Sequence, residues 1–172
     1  MTKLILDYLC TVEGWLTAIK EIHWNSDNLS QHRLCDDISS RIHDFQDQVA
    51  EVEQSITGKL PFNKLYGKDY KVTGLKKFVQ DVLDVTNTFY KNVKKKGDTY
   101  TGMASDCESF LSDMQRNLYL VNFTMKEDLE RRMKNRIDED VYELNIRGHK
   151  TRLTEQQLRQ VIKEAVLNTV EI

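Results

Sequence analysis

Ser30 to Thr57 reads SQHRLCDDISSRIHDFQDQVAEVEQSIT, and the order of its apolar residues decides the fold. Leu34, Ile38, Ile42, Phe45, Val49, Val52 and Ile56 recur every three or four positions, the spacing that gathers side chains on one face of an α-helix. At ~100° per residue, His32, Asp36, Asp47 and Glu51 fall within roughly 100° of one another, away from that apolar stripe. Such a helix buries one face in a bundle and turns a row of metal-binding residue types outward.

The same period extends in both directions. Lys3–Trp24 carries Ile5, Leu9, Val12, Leu16, Ile19 and Ile22 at helical spacing. The polar linker Asn25-Ser26-Asp27-Asn28 then supplies turn and N-cap residues. After Gly58 the stretch to Val72, with Pro61 and Gly67, is too long for a tight turn and has room for a short helix crossing the bundle. A third helix is expected from Thr73 as N-cap to about Lys96, through Leu75, Phe78, Val79, Val82, Val85 and Phe89. A fourth is expected from Thr101 to about Met125, through Met103, Cys107, Phe110, Leu111, Met114, Leu118 and Val121. The predicted class is all-α: a ferritin-like four-helix bundle over residues 1–125 with a C-terminal helical extension. Residues 126–152 are charge-dense and read as a helical extension fading into a linker. Residues 153–172 read as a terminal amphipathic helix opened by the capping-box pair Thr154 and Gln157.

Composition agrees with a helical protein. Of 172 residues, one is proline and seven are glycine, so long stretches lack helix breakers. The formal net charge of −2 argues against broad attraction to nucleic acid. The run Lys94-Lys95-Lys96 reads as a solvated helix end that suits the helix dipole. Three scattered cysteines, Cys10, Cys35 and Cys107, form neither a zinc knuckle nor a CxxC pair, which points to a reduced, cytoplasmic setting. No signal-type leader and no long apolar run is visible, so neither secretion nor a membrane span is expected.

A polar stripe opposite an apolar one is what any surface helix shows, so the spacing within the stripe has to carry the chemistry. His32 and Glu51 lie 19 positions apart, about 28 Å along a helix, and one straight helix cannot wrap both around one ion. An antiparallel partner helix can. A two-fold axis near Arg41 and Ile42 sets His32 and Asp36 of one chain beside Asp47 and Glu51 of another, giving two equivalent sites. His23, at the end of the first helix, is close enough in sequence to join. His43 shares the stripe and reads as an exposed residue beside the site, and Trp24 as a packing residue beside it. Trp15, Phe89, Tyr90 and Phe110 read as core or interface residues.

His23-Trp24-Asn25, then His32-x-x-x-Asp36, then Asp47-x-x-x-Glu51 resembles the Dps mini-ferritins. The resemblance implies an iron site at a two-fold interface, with His23, His32 and Asp36 from one subunit and Asp47 and Glu51 from the other. It implies Fe(II) oxidation by hydrogen peroxide or oxygen, for detoxification or storage. It also implies a homo-oligomer built on a two-fold dimer, a dodecameric hollow shell in that family, with no catalytic groups beyond the ligands. Imidazole and carboxylate suit iron, and zinc or manganese can take the same donors. Three features depart from the family: the segment between His23 and His32 is shorter than usual, the lysine-rich tail by which some members bind DNA has no counterpart, and the charged extension and terminal helix are not part of the usual plan. The terminal stretch from Arg152 to Leu167 resembles a short helix found on phage-encoded proteins. That likeness implies a protein partner for residues 153–172, and a second function: a non-catalytic, ferritin-like component packaged in a phage particle. The other reading of the same helix folds it back on its own bundle.

Overall fold

A computed structural model of the chain describes residues 3–58, 64–139, 141–146, 149–154 and 156–162. The chain divides into two compact units, Met1–Thr124 and Met125–Ile172. Four helices carry the first: α1 (Lys3–Trp24), α2 (Leu29–Thr57), α3 (Leu75–Lys94) and α4 (Thr101–Glu139), the last spanning the boundary. The protein is all-α in class, a helical bundle as the apolar spacing predicts.

Local chemistry sets both ends of α2. Asn28 caps α2, its side-chain oxygen accepting from the backbone N–H of Ser30 at 2.7 Å and of Gln31 at 3.3 Å. Gly58, at a φ of 88° open to glycine, closes the same helix by donating to the carbonyl of Gln54. At the start of α3 the cap is Gly74 rather than Thr73, and no side chain bonds to it.

Aromatic contacts fix the helix order. Tyr8 meets Phe45 edge-on and stacks on Phe89 at 3.7 Å, while its hydroxyl bonds Thr86. Phe45 in turn stacks on Phe110 at 4.1 Å. Tyr100, just before α4, bonds Glu53 near the end of α2, and Phe110 faces Phe45, so α4 runs antiparallel to α2. The short turn through Gly97 makes α3 and α4 antiparallel as well, which leaves α3 parallel to α2. The α2–α3 connection must therefore return along the length of the bundle, the one-long-crossover connectivity of ferritin-like bundles.

That crossover lies against α1. Lys68 N–H donates to the carbonyl of Cys10 at 2.9 Å, and Cys10 Sγ donates to the carbonyl of Lys64. The approach needs a glycine: a Cβ on Gly14 would sit 2.1 Å from the carbonyl oxygen of Lys68. Further on, Tyr70 packs edge-on against Phe78 and donates to Asp81 at 2.7 Å.

The expected stripes form the core, with Ile5, Leu9, Ile19, Ile38, Ile42, Phe78, Met103 and Met114 fully enclosed. Val85, expected inside, is exposed. Cys10, Cys35 and Cys107 are free and buried. Burial pushes the Cys35 thiol up to about 11 and the Cys107 thiol to about 12, so neither is a nucleophile at neutral pH.

In the second unit, the expected linker holds a hairpin. β1 (Val141–Ile146) and β2 (His149–Thr154) pair antiparallel, from Val141 opposite Thr154 to Ile146 opposite His149. Residues 156–162 are helical. The capping box is formed: Thr154 N–H donates to Gln157 Oε1 at 3.0 Å, and Gln157 N–H to Thr154 Oγ1 at 3.4 Å. The rest of the expected terminal helix, 163–172, lies outside the described residues. Among the described residues no helix is long and apolar enough to cross a membrane.

Candidate metal centre

The turn between α1 and α2 builds the site. The last residues of an α-helix have carbonyls with no partner inside the helix, and that of His23 is one of them. It accepts from Ser26 N–H at 3.2 Å and bonds His32 Nδ1 at 3.2 Å. A carbonyl can only accept, so the His32 proton sits on Nδ1 and its Nε2 presents a lone pair. This is the arrangement that commonly fixes the ring of a metal-binding histidine.

His32 Nε2 lies 2.7 Å from His23 Nε2, with the ring centroids 3.6 Å apart. Asp36 Oδ1 stands 3.4 Å from the same His23 nitrogen. His23 Nε2 thus lies between an imidazole nitrogen and a carboxylate oxygen. Each residue offers a ligand atom, and the three atoms lie within 4.8 Å of one another. His23 and His32 are half-buried, whereas the Asp36 side chain is 63% exposed.

This donor set fits a divalent transition ion. Two nitrogens on one ion lie about 3.0–3.4 Å apart at bond lengths of ~2.05 Å, so the imidazoles need to part by only a few tenths of an ångström. Binding then requires both ring nitrogens that face the ion to be unprotonated. Despite the short linker, His23 is not drawn away from His32.

Asp47 and Glu51 do not join this cluster within the chain. They lie further along the exposed face of α2, Asp47 with its side chain 64% exposed and 3.8 Å from His43 Nδ1. From Asp36 to Asp47 is about 16 Å of helix. The outward row is thus present, divided into a three-residue group near the start of α2 and a carboxylate pair towards its end.

Three features of α2 and its surroundings escaped the sequence reading. Trp24 is 76% exposed, not packed, and Leu29 is 65% exposed on the same turn. A polar recess of about 410 Å³ lies between α2 and α4, lined by Asp37, Arg41, Asp44, Asp113 and Arg116, with Arg41 3.7 Å from Asp113. Finally, Glu53 is a fully buried carboxylate, held by Tyr100 at 3.1 Å. Only the exposed Trp24-Leu29 pair had a sequence signal, since two large apolar residues flank a polar turn.

No family model, no curated protein and no solved structure matches this chain. The likeness to Dps proteins rests on the spacing of His23, His32, Asp36, Asp47 and Glu51.

Proposed function

We propose that this chain is a Dps-like mini-ferritin subunit that takes up Fe(II) at sites shared between two copies and oxidises it for detoxification or storage. The observation that carries the reading is the convergence of His23 Nε2, His32 Nε2 and Asp36 Oδ1 within 4.8 Å, with the His32 ring oriented by a helix-end carbonyl. Two imidazoles and one carboxylate leave coordination positions open on iron. Asp47 and Glu51 of a second copy, placed by an antiparallel pairing of α2 helices, would fill part of them and offset the higher charge of Fe(III). In the reaction two Fe(II) ions give up one electron each to one hydrogen peroxide, leaving two Fe(III) and two hydroxides. A homo-oligomer based on that dimer, a dodecameric shell in the fullest form, follows from the same likeness.

Anaerobic Fe(II) titration followed by peroxide tests the chemistry, and mixed mutants test the sharing. Asp36→Ala and Glu51→Ala should each abolish rapid oxidation, since each removes a ligand from both sites of a dimer. Co-refolded together, the two variants should regain activity, because each mixed dimer has one doubly altered site and one intact site. If proven mixed dimers stay inactive, the shared site is wrong.

A further inference from the structure

We propose that metal gates the pairing: without a divalent cation in the His23–His32–Asp36 cluster, the α2 faces of two copies repel, and the cation turns that repulsion into attraction. This rests on the shared-site reading above and adds a regulation to it. The spacing locates the pairing. His32 with Glu51, and Asp36 with Asp47, share the same midpoint near Arg41 and Ile42, so an antiparallel pair centred there brings both pairs together at each end. Asp36 of one chain then meets Asp47 and Glu51 of the partner subunit.

The charges on this face are unbalanced. Asp36, Asp47 and Glu51 lie on the outward side of α2, and Arg33 is the lysine-or-arginine cation among them. Arg41 is turned to Asp113 on α4. The side chains of Asp36 and Asp47 are both more than half exposed, and apposing them costs coulombic energy that water alone screens in the separate chains. His23 and His32 add no fixed charge while neutral. A divalent cation held by them puts its charge where the three carboxylates of each end converge. The exposed Trp24 and Leu29 border this patch and supply apolar surface to cover once repulsion is relieved.

Because the three-residue group is assembled within one chain, a monomer can take up the ion first. By linkage, whatever factor the metal contributes to dimer affinity, the dimer returns to metal affinity. The expected factor is at least ~100-fold, at the upper end of typical coupling.

Sedimentation of the full-length protein, metal-free and with Zn(II) as a redox-inert probe, tests this. Expected are monomers without metal, dimers or larger even-numbered assemblies with about one Zn(II) per chain, and reversal by a chelator. His32→Ala should remove the response. Asp47→Asn with Glu51→Gln should pair more readily without metal and respond to Zn(II) no longer; both positions are exposed, so folding is not at stake. A metal-free protein already paired at micromolar concentration, and unmoved by Zn(II), overturns the gating. If that pair still shows recovery in the mixed-mutant assay, the shared site survives alone. Monomers that bind one Zn(II) each and never pair overturn both.

Discussion

His32 makes two different bonds with its two ring nitrogens, and this division of labour is what a spacing rule cannot show. The i, i+4 relation to Asp36 placed both on one side of α2. The contact with His23 depends on where a helix-end carbonyl points, which is a property of the turn. Glu53 teaches the same at higher cost. It flanks the apolar stripe of α2, and nothing in its neighbours announces burial. Its enclosure depends on Tyr100, 47 positions away, a pairing invisible to periodicity. Burial, and then the neighbouring Glu53 carboxylate, push the Tyr100 hydroxyl above its ordinary range, so it stays a neutral donor. Replacing it tests the bond. Tyr100→Phe keeps the ring and removes the donor, and should cost about 1.5–3 kcal/mol, as expected for a buried bond to a charged group. Urea unfolding would measure this; an unchanged midpoint would show that the bond contributes nothing net.

Among the elements, the four helices were readable because each alternates its faces cleanly, and the crossover was readable only as a length. What holds the crossover is the pair Gly14 and Gly67, with Lys68 bonded to Cys10. A glycine inside a helical pattern costs ~1 kcal/mol against alanine, and at Gly14 the missing Cβ is what lets the Lys68 carbonyl approach. Gly14→Ala should force the crossover off α1 and destabilise the bundle by about 1–3 kcal/mol, the range for overpacking. Alanine is the better helix former by ~1 kcal/mol, so a stabilised variant in thermal unfolding would mean that the crossover yields freely. The hairpin was missed for another reason. Tyr142, Leu144 and Ile146 alternate with polar residues, and Gly148 follows, which is a strand-and-turn signal. The surrounding charge density, by contrast, favours helix and linker by composition. Thr73 likewise had the better capping side chain, yet the chain enters α3 through Gly74, whose φ of 117° favours glycine over residues with a Cβ.

At the scale of the whole molecule, the described core belongs to the first unit. Among the described residues, every member of the buried core lies between Ile5 and Val121. The second holds a two-stranded hairpin, a kind of element that is marginal on its own, and a capped helical segment that leaves Val161 and Ile162 exposed. The cluster of His23, His32 and Asp36 also belongs wholly to the first unit. If stability follows buried apolar area, a chain ending at Lys126 keeps the four-helix core and the three-residue metal group. Its thermal midpoint should then stay within about 4 °C of the full chain, the shift that corresponds to ~1 kcal/mol at this size. Its urea m-value should fall only as far as the lost surface of the tail requires. One Zn(II) per chain should still bind. A truncated chain that loses its cooperative transition would show that residues beyond 126 share the folding unit, and that the charged end of α4 does more than extend it.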